Sequence, residues 1–176
     1  AGASLEHTHT QIIATPIVPK RVAEELKGGQ QHYEFKERCI FCDIIKEEIL
    51  MKKRVILETV HFVVFSPFAS RYPFETWIVP KKHAPDFHHI HEEGIEDLSV
   101  AIQSLFLRFH KLLSDPPYSL AFHTSPVQSR FHRSEYHWHV ETRLRIGLRE
   151  GFEWGTGFFV NPTPPEDAAA FLREMG

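Results

Sequence analysis

Two short stretches of the sequence hold the residues best suited to chemistry. Residues 7–11 and 137–141 both read His-x-His-x-Gln/Glu, and they start 130 residues apart. A neutral imidazole is a good nucleophile near pH 7 and a good metal ligand. Because alternate residues of a strand share a face, both histidines and the Gln or Glu of each copy should point the same way. Trp138 and Val140, together with Tyr136, should point to the other face and enter the core.

This similarity has two interpretations. In a chain with 13 histidines, a single His-x-His arises easily by chance. Two copies with the same third member, each in a predicted strand, favour a true repeat instead. A period of 130 residues is the size of a domain. The first copy would then be the end of an upstream domain.

The two cysteines, Cys39 and Cys42, have the spacing that lets both thiolates bind one metal ion. A structural zinc site needs four ligands, and by spacing alone any of the histidines could complete it. Redox chemistry is the weaker interpretation, because the pair follows the charged segment 34–38 rather than a buried strand. Two unrelated buried cysteines are the remaining alternative.

Composition limits the classes of function. The chain has 176 residues, 42% of them apolar, which suits one soluble domain of ordinary size. Its net charge of −3 argues against a general nucleic-acid binder. No apolar run is long enough to span a membrane, the first ten residues do not resemble a signal peptide, and two cysteines cannot form a disulfide scaffold. We therefore expect a cytoplasmic protein with no nucleic-acid or membrane partner.

The elements that must position these residues form an α+β pattern. Short β-branched and aromatic runs predict the strands of an antiparallel meander at 54–57, 62–65, 76–79, 119–123 and 136–144. Another such run predicts a strand at 11–15. Apolar residues at three- and four-residue steps predict a long amphipathic helix over 95–113.

Two further segments have helical character. Residues 21–38 are mostly charged and polar, and we predict a partly helical connector that is broken at Gly28-Gly29. Thr163 and Glu166 have the spacing of a capping box, which predicts a C-terminal helix over 167–174.

The sequence resembles a known family in motifs that extend over nearly the whole chain. They are Cys-Ile-Phe-Cys-Asp-Ile-Ile at 39–45, Val-Pro-Lys-Lys-His at 79–83, the triplet of 137–141, and the segments 2–14, 72–80, 115–118 and 151–162. These residues resemble the galactose-1-phosphate uridylyltransferase branch of the histidine-triad (HIT) superfamily, especially its bacterial and plant-like members. The resemblance implies a HIT-like α+β fold, with an antiparallel β-sheet meander, a long amphipathic helix and a C-terminal helix.

Members of this branch have two HIT-like halves in one polypeptide. The resemblance therefore implies that residues 1–30 are the terminal strand and connector of an upstream half, and that residues 31–176 are the C-terminal HIT-like domain. It also implies a homodimer for the full-length protein.

The resemblance implies a structural zinc ion in this half, with Cys39, Cys42, His83 and His137 as its ligands. His7 would be the last ligand of a similar zinc ion in the first half.

Some relatives have an additional iron site, and Glu25 and His123 fall near two of its positions. Those relatives have further histidines where this chain has Glu141 and Arg143, so we do not expect iron.

Catalytic roles also follow from the resemblance. His9 matches the nucleophile, Gln11 matches the residue that holds the phosphate during transfer, and Ser4 lies in a loop that contacts phosphate oxygens. His139 occupies the corresponding position in the second half, as a second catalytic histidine, a substrate contact or a relic, and we favour His9 as the nucleophile. The segment that helps to form the sugar-phosphate pocket would contribute Phe152, Gly155, Thr156, Gly157 and Asn161.

The implied reaction moves UMP between UDP-glucose and galactose 1-phosphate through a nucleotidyl-histidine intermediate. The partners would then be a nucleotide sugar and a sugar 1-phosphate. Two alternatives remain open at this point. One is a nucleoside-diphosphate-sugar phosphorylase or hydrolase of the same superfamily, and the other is a catalytically silent, zinc-stabilised nucleotide-binding fragment.

Overall fold

The computed structural model describes residues 7–126, 133–146 and 151–176. The five helices in these ranges are α1 (Lys20–Lys36), α2 (Ile40–Met51), α3 (Glu92–Leu113), α4 (Gly151–Thr156) and α5 (Pro165–Glu174). The five strands are β1 (Val55–Glu58), β2 (Phe62–Phe65), β3 (Thr76–Pro80), β4 (Tyr118–His123) and β5 (His139–Leu144). Short 3-10 turns lie at Phe87–His89 and Arg133–Glu135. No helix in the described ranges is long and apolar enough to cross a bilayer.

The five strands form one antiparallel sheet in the order β1-β2-β3-β5-β4. Strand β5 lies between β3 and β4, so that Val140 faces Ile78 on one side and Phe122 on the other. The second copy of the histidine pattern therefore extends into the interior of the sheet rather than along its edge. The predicted meander is confirmed, with strand bounds that differ by at most three residues.

The two faces of the sheet are covered by different helices. Helices α3 and α5 pack on an apolar layer whose buried members include Phe62, Ile78, Leu105, Trp138 and Val140. On the opposite face, α2 packs against β2 and β3 through Ile45, Val63, Phe65 and Val79. Helix α1 and the start of α2 cover the rest of that face with Leu26, Cys39, Phe41 and Tyr136. Both faces of β5 are consequently buried.

Helix α1 passes through Gly28-Gly29 without a break, so the predicted interruption is wrong. Gly29 is buried against the 3-10 turn at 133–135, and a Cβ atom on it would lie 2.9 Å from the carbonyl oxygen of Glu135. The glycine permits a close approach of two backbones instead of ending the helix.

Two predicted local structures are absent from the described residues. Residues 11–15 form no strand, and the exposed fractions of Ile12 and Ile13 are 95% and 68%. No neighbouring strand in the described part of the chain pairs with this segment, so a ladder of hydrogen bonds cannot form. The capping box is also absent, because α5 begins at Pro165 without a side-chain cap and Glu166 binds Arg54 at 2.7 Å instead.

Tyr136 lies on the opposite side of the sheet from the predicted one. It precedes β5, so the alternation of a strand does not apply to it, and its ring packs edge-on against Phe41 with centroids 5.9 Å apart. Trp138 and Val140 do enter the α3–α5 core as expected.

The apolar core gives the first prediction. Leu105 is fully buried between α3 and the sheet, whereas Leu107 on the same helix is 54% exposed. We expect Leu105→Ala to lower the free energy of unfolding by about 2–5 kcal/mol because it leaves a cavity. Leu107→Ala should cost less than about 0.5 kcal/mol. Urea denaturation of both variants measures the difference, and equal losses would contradict this assignment of the core.

Candidate functional site

Four metal-ligand side chains meet between α2 and the sheet. Cys39 and Cys42 lie at the start of α2, His83 follows β3, and His137 precedes β5. Their ligand atoms all lie within 4.8 Å of one another. The Cys42 Sγ atom is 3.4 Å from Nδ1 of His83 and 3.6 Å from Nδ1 of His137. Residues far apart in the sequence thus form one group, in the combination that the resemblance implies, while His7 is not part of it.

The electrostatics of this group suit a divalent cation. Burial raises the pKa of the Cys42 thiol to about 12, and the neighbouring Cys39 contributes to the increase. Burial lowers the pKa of His137 to about 3, and the charge of His83 acts in the same direction. The imidazole of His137 is therefore neutral at pH 7, which is the form that binds metals. A bound cation would displace the thiol protons, and two thiolates with two imidazoles are a common donor set for tetrahedral zinc, so these residues fit the ion.

A second polar group lies beside the first, on the same face of the sheet. Ligand atoms of Glu25, His123, His139 and Glu141 lie within 4.8 Å of one another. The ring of His139 is fully buried and stacks on Trp77 and on His123, with centroids 5.0 and 4.8 Å away.

Two arginines neutralise the carboxylates of this second group. Arg21 on α1 donates a short hydrogen bond to Glu141. Nη2 of Arg71 lies 3.2 Å from Glu141 Oε2 and 2.6 Å from Glu75 Oε1. Glu25 accepts a hydrogen bond from the Tyr136 hydroxyl at 3.2 Å and lies 3.0 Å from His123.

These contacts bear on the iron site of some relatives. The side chains of Glu25, His123 and Glu141 do come together. Arg143 is not part of this group, and its guanidinium lies 3.8 Å from the centroid of the Tyr72 ring. Because two guanidinium groups already bind Glu141, the donor set as arranged does not fit an iron ion.

The charges of this network also act on Glu141 itself. Burial alone would raise the pKa of its carboxyl group. A contact with His139 and the electrostatic influence of His123, Arg21 and Arg71 outweigh burial and lower the pKa to about 2. Glu141 is therefore an anion throughout the physiological range.

The first copy of the histidine pattern has a different environment. His7, His9 and Gln11 are all exposed. The Tyr118 hydroxyl donates a hydrogen bond of 3.3 Å to the Thr8 hydroxyl, so this segment lies beside the edge strand β4. Ser4 falls outside the described residues.

The two copies share one local hydrogen bond in spite of this difference. Nδ1 of His9 lies 2.9 Å from the carbonyl oxygen of His7, and Nδ1 of His139 lies 3.1 Å from that of His137. A carbonyl can only accept, so Nδ1 carries a proton in both rings, and in the neutral form of His9 Nε2 then carries the lone pair.

The remaining predicted residues lie on and after α4. Phe152, Gly155, Thr156 and Gly157 are exposed. The side-chain amide of Asn161 donates to the carbonyl oxygens of Ser70 and Tyr72, at 3.2 Å each. The Phe159 ring packs edge-on against Tyr72 at 5.3 Å. These contacts attach the segment to the loop between β2 and β3, and a role in substrate binding stays a prediction.

Comparison with solved structures defines the class of this fold. A GalT-like protein from Arabidopsis thaliana is similar over 99% of this chain and 57% of its own, with a TM-score of 0.90 and 39% identity. A HIT-like protein from Bartonella henselae is similar over 78% of this chain and 95% of its own, with a TM-score of 0.56 and 18% identity. The second likeness concerns the fold alone. Together they show a HIT-like α+β fold.

Sequence comparison defines the family. The C-terminal domain of galactose-1-phosphate uridyl transferase matches residues 25–149. An ADP-glucose phosphorylase from Arabidopsis thaliana is 39% identical over 99% of this chain and 49% of its own length. The chain belongs to the galactose-1-phosphate uridylyltransferase family, and it matches the C-terminal half. It spans about half the length of the curated relatives that it matches.

The sequence pattern does not indicate that Arg21 and Arg71 bind Glu141. Arg21 and Arg71 are 120 and 70 positions from Glu141, and nothing in their local sequence marks them as its partners. Glu75 offered a weak signal, since it is a charged residue that leads directly into an apolar strand.

The network gives the second prediction. Arg71→Met would leave the carboxylate of Glu75, which is 2% exposed, without its guanidinium partner. We expect a loss of about 3–5 kcal/mol in the free energy of unfolding, as is typical when one member of a buried ion pair is removed. Arg38 also pairs with a carboxylate, that of Asp43, but its side chain is 60% exposed. Arg38→Met should therefore cost less than about 1 kcal/mol. Similar losses in the two variants, measured by denaturant unfolding, would show that burial of the network contributes little.

Proposed function

We propose that this chain is part of an enzyme that transfers a nucleoside monophosphate from a nucleoside diphosphate sugar through a nucleotidyl-His9 intermediate. The observation that carries the proposal is the contrast between the two copies of the histidine pattern. They have the same Nδ1 hydrogen bond, but His9 is exposed whereas His139 is fully buried. A phosphorus centre cannot approach a fully buried ring, so the contrast favours His9.

The proposed chemistry uses the lone pair on Nε2 of His9. Nε2 attacks the α-phosphorus and forms the N–P bond, while the bond to the leaving sugar 1-phosphate breaks and its oxygen takes the electron pair. The hydrogen bond from Nδ1 to the His7 carbonyl holds the ring in this tautomer and orientation. The amide of Gln11 can donate to a non-bridging oxygen, which stabilises its charge without adding another. An oxygen of the acceptor phosphate then attacks, and the N–P bond breaks to regenerate His9.

Two acceptors are consistent with the family. The match to the uridylyltransferase domain favours a hexose 1-phosphate, with UMP passing from UDP-glucose to galactose 1-phosphate. The 39% identity with an ADP-glucose phosphorylase favours inorganic phosphate as a second candidate, with ADP-glucose as the donor. Both use the same first half-reaction, so the role of His9 does not depend on the choice.

We also propose that Cys39, Cys42, His83 and His137 bind a structural zinc ion. The donor set supports this, because four protein ligands close a tetrahedral zinc and leave no position for substrate. The ion would connect the start of α2 to the end of β3 and to the start of β5. His139 lies two residues beyond His137, so the ion would also hold β5 in place beneath α1.

The third prediction concerns the intermediate. Full-length protein containing this chain, incubated with UDP-glucose or ADP-glucose labelled at the α-phosphate, should form an acid-labile, base-stable adduct on His9. His9→Asn should lower labelling by at least about 10³-fold because no nucleophile remains. His110→Asn changes another exposed histidine and should label normally.

The acceptor is identified by discharging the adduct with galactose 1-phosphate or with phosphate. Release of a nucleotide sugar by the first identifies a transferase, and release of a nucleoside diphosphate by the second identifies a phosphorylase. Labelling that survives in His9→Asn, or no labelling of the wild type, would refute the proposed role of His9. A wild-type protein that is not labelled would favour a catalytically silent nucleotide-binding module.

The fourth prediction concerns zinc. After dialysis against a weak chelator, elemental analysis should find about one tightly held zinc ion for this half, and Cys39→Ser/Cys42→Ser should lose it. The matched variant Ser66→Ala/Ser70→Ala lies on the loop after β2 and should keep it. Full zinc content in the double cysteine variant would refute the ligand assignment.

A further inference from the structure

A third group of ligand-type side chains lies on the turn between β3 and α3, apart from both groups described above. Ligand atoms of Asp86, His88 and His89 lie within 4.8 Å of one another. The Asp86 side chain is 4% exposed, whereas those of both histidines are accessible. Nδ1 of His89 is 3.4 Å from Oδ2 of Asp86, and the centroids of the two imidazole rings are 4.0 Å apart.

The backbone that carries this group is anchored in the core. The 3-10 turn Phe87–His89 begins with Phe87, whose ring packs against Phe122 at 4.7 Å and Trp138 at 5.1 Å. The Phe87 amide donates to the Thr124 hydroxyl at 3.0 Å. With Phe87 directed inward, the two histidines that follow remain on the accessible side of the turn.

The carboxylate is held independently of the histidines. The Ser125 hydroxyl donates to Oδ1 of Asp86, and the Ser125 amide donates to the Pro85 carbonyl at 3.2 Å. Metal-binding carboxylates are often oriented by an outer hydrogen bond of this kind. Oδ2 is the oxygen that lies 3.4 Å from Nδ1 of His89.

We propose that Asp86, His88 and His89 bind a divalent transition-metal ion. Two imidazoles and one carboxylate suit zinc, nickel or cobalt, with bonds of about 2.0–2.2 Å. Ligand atoms of one tetrahedral ion of this kind lie about 3.3–3.6 Å apart. The three ligand atoms lie within 4.8 Å of one another, so rotation of the two exposed rings must bring them about 1 Å closer.

Unlike the four-ligand group, this site leaves coordination positions of the metal open. Three protein ligands leave at least one coordination position for water or another ligand. Asp86 and His89 also line a cavity of about 430 Å³, together with Lys82, His91 and the outer residue of the four-ligand group, His83. The open position therefore has access to solvent, and ions should exchange there faster than at the Cys39–His137 group.

The test uses the chain with its cysteine site already loaded with zinc, titrated with Ni²⁺ in a calorimeter and followed by NMR. In the wild type we expect broadening of the amide signals of Thr124 and Ser125, because Ser125 touches Asp86. His88→Gln/His89→Gln should bind one equivalent less, or bind it at least ten-fold more weakly, and should lose this broadening. His91→Gln removes a neighbouring exposed histidine that is outside the group and should behave like the wild type.

The amide signals separate this site from the exposed pair His7 and His9, which also offers imidazoles to Ni²⁺. Absence of broadening at Thr124 and Ser125 in the wild type would overturn the proposal. So would broadening that persists in His88→Gln/His89→Gln, or that is lost equally in His91→Gln.

Discussion

The buried polar row of His137, His139 and Glu141 is the constraint on which the arrangement of this domain depends. Burying such groups costs several kcal/mol unless each finds a partner. The partners come from every element around the row. Helix α2 brings the cysteines to His137, the strands β3 and β4 bring the rings that stack on His139, and α1 brings Arg21 to Glu141. The polar row thus determines how the helices cover this face. On the opposite face, α3 and α5 pack through apolar side chains that need only to fit in shape and volume.

Under the proposed function, one sequence pattern serves two purposes. Both copies hold the second histidine by a hydrogen bond from Nδ1 to the carbonyl two residues earlier, which fixes the ring and its tautomer. Where the ring is buried, at His139, that orientation contributes to its packing against Trp77 and His123. Where it is exposed, at His9, it presents a lone pair on Nε2 to solvent. Burial, rather than the pattern itself, separates a structural histidine from one that can react.

The sequence was sufficient for features that depend on local pattern. Strand β2 at 62–65 and the long helix α3 follow from β-branched and aromatic runs and from apolar periodicity, and the family motifs indicate the four side chains that group around Cys39. Features that depend on distant partners could not be predicted. Gly29 interrupts nothing because its role is to let α1 approach Glu135, and Glu166 leaves its capping position to bind Arg54. In each case a contact across more than 100 residues outweighs the local preference.

The central claim is that His9 is exposed whereas His139 is buried. The chemical accessibility of the two rings tests this claim most directly. The native chain is treated with diethylpyrocarbonate at pH 7, and modification of each histidine is measured by mass spectrometry. The account predicts that His7 and His9 are modified quickly, and that His137 and His139 are protected until the domain is unfolded in denaturant. Modification of His139 at the rate of His9 in the folded chain would contradict it.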